Sequence, residues 1–167
     1  RSKETNTLPK VHAFGYIFMK NLIDHGFAKV SKYTKNMNLF DYHFVMFPFH
    51  VNGNHWVLLT ADMKQKSIKY YDSLKGADKE AMPKLFEYLK MEFFIKTNRK
   101  LEEKHWKLVC ANDCPEQTNS FDCGVFTCQI AEYIARGKPL TFGQNDMPFM
   151  RKKMMAEILD GKLSQYF

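Results

Sequence analysis

Glu116-Gln117-Thr118-Asn119-Ser120-Phe121-Asp122-Cys123-Gly124-Val125-Phe126 is a polar, turn-forming stretch that changes abruptly into an amphipathic run. Asn119, Ser120 and Asp122 are helix-capping types, and Phe126, Ile130 and Ile134 then recur at four-residue spacing. The pattern predicts a helix with Cys123 in or beside its first turn. There, unpaired backbone N–H groups and the helix dipole favour a thiolate. Gly124, without a side chain, lets a substrate backbone approach the sulfur. A cysteine so placed is either a nucleophile or a small buried core residue, because free cysteines are commonly buried and inert.

Size and composition narrow the setting. A chain of 167 residues is one domain by the usual prior, with enough length for a sizeable core. An apolar share of 45% with 15% aromatics excludes a disordered chain. No apolar run reaches the length of a membrane span, and Arg1-Ser2-Lys3-Glu4 has no signal-peptide organisation. The first residue is not Met, so a fragment is expected. Of the 25 basic residues only Arg1, Arg99, Arg136 and Arg151 are arginines, against 18 acidic residues and a net charge of +7. Bidentate base and phosphate contacts favour Arg, so this lysine-heavy balance argues against specific nucleic-acid binding and for an acidic macromolecular partner. Cys110, Cys114, Cys123 and Cys128 are spaced C-x3-C and C-x4-C, unlike a zinc ribbon, and no His follows at finger spacing. They read as reduced thiols of a cytosolic or nuclear protein, with no metal and no cofactor expected.

Working outward, the elements follow from periodicity. Val11, Phe14, Ile17, Phe18 and Leu22 predict a helix over 11–25 that stops before Gly26, and 27–42 reads as mostly loop. Phe44-Val45-Met46-Phe47 predicts a buried strand closed by Pro48. After the turn signal Asn52-Gly53-Asn54 come strands over 55–62 and 67–72, an antiparallel meander. A helix is predicted over 78–95 with Pro83 in an early turn, then a charged connector and a strand over 106–110. The Cys123 helix runs to about Arg136, and a last helix covers 146–159. Nothing repeats and no linker divides the chain. The fold class is α+β.

A cysteine nucleophile needs a base within hydrogen-bond reach, and the base needs an orienting acceptor. His55 opens a strand just after a Gly-Asn turn, and Asp72 ends the next strand. Antiparallel strands joined by a turn bring the start of one beside the end of the other, so the two are expected to be cross-strand neighbours. The remaining histidines show no comparable partner. Gln117, six residues before Cys123, could donate with the Cys123 N–H to a developing oxyanion. A solvent-exposed His55, a turn Asp72 and a loop-capping Gln117 remain the plainer readings of each residue alone.

His55-Trp56, Tyr70-Tyr71-Asp72-Ser73 and Gln117-Thr118-Asn119-Ser120-Phe121-Asp122-Cys123-Gly124 resemble, in order and spacing, the signature of the ubiquitin-like-protein proteases. The sentrin/SUMO-specific branch is the most similar. His12-Ala13-Phe14, Met147-Pro148-Phe149 with Arg151-Lys152, and Glu157-Ile158-Leu159 resemble it too, so the likeness spans essentially the whole chain. The resemblance implies a papain-like cysteine protease core: a central, mostly antiparallel sheet flanked by helices, with the nucleophile at a helix N-terminus. It implies Cys123 as nucleophile, His55 as general base, Asp72 as its orienting carboxylate and Gln117 as oxyanion donor. Trp56 matches a wall of the tunnel for the substrate's diglycine tail, and Gly124 leaves that tail room. Family domains begin with a Trp-Leu-x-Asp element forming the other wall; residues 1–167 are expected to be a single catalytic domain lacking it.

The expected function is cleavage after the C-terminal diglycine of a SUMO-type modifier, maturing precursors and freeing modified lysines. The partners implied are that modifier and its conjugates, with no specific nucleic acid and no membrane. A nuclear monomer is expected, with nuclear-envelope or cytoplasmic placement open. The alternatives are a protease for another modifier such as NEDD8, an acyl transferase, a catalytically weak modifier-binding module, or a lysine-rich nucleic-acid binder.

Overall fold

The structure is a computed structural model describing residues 8–77 and 80–164. Its centre is a five-stranded sheet in which spatial order follows chain order: β1 (Val11–Ala13), β2 (Phe44–Val51), β3 (His55–Asp62), β4 (Ser67–Tyr71) and β5 (Lys107–Cys110). The helices are α1 (Ile17–His25), the single turn α2 (Phe27–Val30), α3 (Ala81–Thr97), α4 (Cys123–Ala135) and α5 (Met147–Asp160).

Strand β3 is buried on both faces from Val57 to Asp62, which explains its nearly continuous apolar sequence. Val57, Leu59 and Ala61 join a core with Phe18 and Leu22 of α1 and Leu85 and Leu89 of α3. Leu58 joins the second core, with Phe126 and Ile130 of α4 and Met147 and Met150 of α5. The sheet therefore separates two apolar layers. The Asn52-Gly53 turn has both residues at positive φ, 52° and 73°, and leaves Val51 paired with His55. This hairpin sets where β3 begins.

Several expectations change. Residues 11–13 form a strand, not the first turn of a helix: β1 lies parallel to β2, and the Phe14 N–H donates to the Met46 carbonyl at 2.9 Å. Phe14 is buried with Phe18, so its four-residue spacing reported burial and not a helix. Strand β2 does not stop at Pro48 but continues to Val51. Strand β1 pairs only with residues 44–46, so Pro48 sits where that side of β2 is an open edge and needs no donor. The stretch 27–42 contains α2 and two short 3-10 turns, Ser31–Thr34 and Leu39–Asp41.

The meander β2-β3-β4 is antiparallel, as expected, and holds most of the paired positions; β1 and β5 add short parallel pairings at the two edges, so the sheet is mixed. The crossover through α3 is what brings β5 back in the direction of β4. Helix α3 starts at Ala81 with Pro83 as its third residue, and the expected start at 78 falls on residues 78–79, outside the described ones. Expectations placed on residues 1–7 also lie outside them. All four cysteines are free thiols. Among the described residues no helix is long and apolar enough to cross a membrane.

Candidate active site

His55 is the first residue of β3, and Asp72 directly follows the last residue of β4. Leu58 pairs with Tyr71, so the same register carried one step further sets Asp72 opposite Val57. Asp72 and His55 then share a face, one diagonal step apart, a separation that side chains can bridge. His55 Nε2 and Asp72 Oδ1 are 2.7 Å apart. The same Oδ1 accepts the Leu74 N–H at 2.8 Å, and Asp72 is buried. With Nε2 committed to the carboxylate, Nδ1 is the nitrogen left for chemistry. A Cβ at Gly76 would lie 2.5 Å from Asp72 Oδ2, so a side chain there would have to displace the carboxylate or the loop.

The loop before Cys123 docks on the residue after Asp72. The Gln117 N–H donates to the Ser73 carbonyl at 2.9 Å, and the Ser73 hydroxyl donates to Gln117 Oε1 at 2.6 Å. Gln117 Nε2 in turn donates to the Asn119 carbonyl at 2.6 Å. Gln117 and Ser73 are both buried. The Gln117 amide is thus fixed in orientation by a donor on one side and an acceptor on the other. Asn119 Oδ1 accepts the N–H groups of Phe121 and Asp122 at 3.2 and 3.1 Å, a local turn that leads the chain into α4.

Cys123 is the first residue of α4 and is 6% exposed. Asp122 occupies the N-cap position, but its carboxylate caps nothing. Oδ2 instead accepts from Asn119 Nδ2 at 2.6 Å and Gln144 Nε2 at 2.8 Å. Oδ1 accepts from Arg151 Nε at 2.9 Å and Nη2 at 2.6 Å. Burial works against the Asp122 charge, but the bonds from Asn119, Arg151 and Gln144 outweigh it and hold the carboxyl below its ordinary value. Burial also pushes the Cys114 thiol up to about 12, which leaves it protonated at neutral pH.

Trp56 follows His55 and is half-buried. Its ring lies against His50 in a tilted arrangement, 4.5 Å between centroids, and meets Tyr16 edge-on at 5.8 Å. A Cβ at Gly124 would lie 3.6 Å from Trp56 Cδ1, so the first turn of α4 rests against the start of β3. His55 and Asp72 are therefore joined directly. Gln117 is joined to Ser73, Gly124 lies against Trp56, and Cys123 sits between these contacts in sequence. Among the described residues no group of three His, Cys, Asp or Glu side chains could hold a metal ion. The sequence did not assign roles to Ser73, Gln144 or Arg151. Ser73 was visible beside Asp72 in the quoted motif, whereas Gln144 carried no signal.

Residues 1–163 match the family model described as Ulp1 protease family, C-terminal catalytic domain. The chain is 36% identical over 163 residues to a sentrin-specific protease of Caenorhabditis elegans, covering 98% of this chain and 23% of that protein. It is 39% identical over 165 residues to sentrin-specific protease 2 of Mus musculus, covering 98% and 28%. It thus spans about a quarter of the length of these curated relatives. Among solved structures it is similar to the C-terminal Ulp1 protease domain in complex with Smt3, the yeast orthologue of SUMO. That match has a TM-score of 0.80 and 28% identity, and covers 93% of this chain and 70% of the other.

Proposed function

Because the chain belongs to the Ulp1 protease family, we propose that it is a cysteine protease that cleaves after the C-terminal diglycine of a SUMO-type ubiquitin-like modifier. It matures precursors and releases the modifier from lysines. The observation that carries this reading is the 2.7 Å bond between His55 Nε2 and Asp72 Oδ1, beside a loop that ends in a cysteine at a helix N-terminus. The relative solved with Smt3 bound supports the choice of modifier.

The Cys123 thiolate attacks the carbonyl carbon of the second glycine, forming a C–S bond while the carbonyl π electrons move onto oxygen. That oxygen accepts from the Cys123 N–H and from Gln117. One Gln117 Nε2 hydrogen is committed to the Asn119 carbonyl, and the other is free to serve the oxyanion. Collapse expels the lysine amine, which takes its proton from His55 Nδ1. His55 then draws a proton from water, water attacks the thioester, and the modifier leaves with a free carboxylate. Asp72 holds the ring in the tautomer that presents Nδ1 and stabilises the imidazolium. Trp56 walls the channel for the diglycine tail, and a flat indole there excludes larger side chains.

The same reading takes residues 1–167 as a single catalytic domain that acts as a monomer without metal, nucleic acid or membrane. The Trp-containing wall expected from the resemblance has no counterpart within these residues. Four free thiols suit a reducing compartment, and we place the enzyme in the nucleus, to be checked by imaging the full-length protein.

The test is a panel of modifier probes carrying a C-terminal electrophile, applied to the protein and to Cys123→Ala. SUMO-type labelling that disappears in Cys123→Ala, together with loss of precursor cleavage, supports the proposal. Labelling by a NEDD8 probe alone reassigns the substrate. Cleavage surviving in Cys123→Ala sinks the mechanism.

A further inference from the structure

We propose that Arg151, reaching in from the last helix, is a positioning residue that keeps the Asp122 carboxylate away from the first turn of α4 and so holds Cys123 and Gln117 in working alignment. The inference rests on Cys123 being the nucleophile.

An aspartate at the N-cap ordinarily turns its carboxylate back onto a free N–H of the helix's first turn. Asp122 does not, although it stands in that position. Capping would turn the carboxylate onto the N–H of Gly124 or Val125 and bring its negative charge into the first turn beside the sulfur. Arg151 competes for the carboxylate with two donors on Oδ1, at 2.9 and 2.6 Å. Gln144 and Asn119 take Oδ2. The Asp122 side chain is only 5% exposed, which strengthens each of these bonds.

Arg151 also acts on the backbone. Its Nη2 donates to the Phe121 carbonyl at 2.8 Å, which fixes the peptide segment entering α4. From Asp122 the bonds continue through Asn119 to Gln117, and from Gln117 to Ser73, the neighbour of Asp72. The guanidinium therefore anchors one end of a hydrogen-bonded line whose other end adjoins the residue that orients His55. Gln144 contributes from a second direction, since its Oε1 accepts the Thr118 N–H at 2.8 Å.

The test uses the intact protein with two variants. Arg151→Met keeps the aliphatic stem and removes the donors, and Arg151→Lys keeps the charge but loses the fork. Active sites are counted with a SUMO-type vinyl-sulfone probe, and kcat and KM for precursor cleavage are expressed per titrated site. In Arg151→Met, kcat per site is expected to fall about tenfold, short of the roughly 10²–10³-fold that follows outright loss of an oxyanion donor. KM should stay within about threefold, because the ground-state contacts are untouched. Arg151→Lys should fall between parent and Arg151→Met. A smaller titratable fraction with parental kcat per site would mean that Arg151 only supports the fold, and would overturn the proposal. A loss carried wholly by KM would overturn it too. If Arg151→Met does not fold, Arg151→Lys decides alone, and parental kcat per site in it overturns the proposal. Failure of the underlying reading looks different: Cys123→Ala would still cleave, or the probe would label another residue in the parent.

Discussion

Replacing Asp72 by asparagine should cost this enzyme far less than replacing it by alanine, and the reason is the Leu74 N–H. Asp72 Oδ1 accepts both His55 Nε2 and that backbone group, at 2.7 and 2.8 Å. An asparagine amide offers one oxygen and one NH2, so its orientation decides the outcome. Turned the wrong way, it would face the Leu74 N–H with a second donor and leave a buried N–H unpaired, at about 1–3 kcal/mol. That penalty favours the orientation with oxygen towards His55, which preserves the tautomer presenting Nδ1. What is lost is the charge. A hydrogen bond to a charged group is worth about 1.5–3 kcal/mol and a neutral one about 0.5–1.5, a difference near 1–1.5. At about 1.4 kcal/mol per decade, this is roughly a tenfold fall in kcat.

Asp72→Ala removes both the acceptor and the anchor, so the ring is free to take the wrong tautomer or turn away. A loss on the order of 10³–10⁴-fold then follows, as when a triad histidine loses its orienter. The assay is steady-state cleavage of a SUMO-type precursor by parent, Asp72→Asn and Asp72→Ala, normalised to titrated active sites. The two variants should differ by about 10²–10³-fold, the ratio of those two losses. If Asp72→Asn proves as impaired as Asp72→Ala, the Leu74 anchor does not govern the amide and the reasoning fails.

Gln117→Ala should lower kcat by about 10²–10³-fold with little change in KM, and Gln117→Glu at least as much, because a carboxylate would face both the oxyanion and the Asn119 carbonyl. Gly76→Ala sets a Cβ against Asp72 Oδ2, so kinetics should show a kcat loss approaching that of Asp72→Ala while probe labelling stays stoichiometric. The Asp122 carboxyl lies below its ordinary value, so its stabilisation is complete above about pH 4 and is lost as pH falls through the lower folded value. Acid unfolding followed by circular dichroism should therefore show the stability gap between parent and Asp122→Asn closing below about pH 4. A gap that is constant with pH would refute this.

Local signals carried the parts of the fold that are local. The Asn52-Gly53 turn and the lengths of the two strands after it sufficed to bring His55 beside Asp72. The polar, turn-forming residues before Cys123 sufficed to mark where α4 begins, although the Asp122 side chain does not cap it. The sequence failed where partners are distant. Val11–Ala13 is three residues long and exists because β2 offers it a backbone edge 33 positions away, which no periodicity within 11–25 reveals. The parallel entry of β5 depends on where α3 packs. Ser73 and Gln117 are 44 positions apart, and Arg151 and Asp122 are 29 apart. Apolar spacing encodes which face is buried, and it says nothing about which polar side chain will find another across the fold.

That division has a physical consequence for the site. His55 and Asp72 are carried by the sheet, whereas Cys123 is carried by a helix laid on it. Phe126 and Ile130 hold α4 to Leu58 and Tyr71 through apolar contact, which is strong but non-directional, so it tolerates small sliding or rotation at little cost. A nucleophile and its base tolerate far less, since a displacement of about 1 Å can cost on the order of 10²-fold. The directional bonds that remove this freedom run outside the core: Gln117 to Ser73 on the sheet side, and Arg151 and Gln144 to Asp122 on the helix side. Variants along this line should therefore be impaired in turnover well before they are impaired in folding. Truncating Ile130 should do the reverse, lowering the unfolding free energy by about 2–5 kcal/mol.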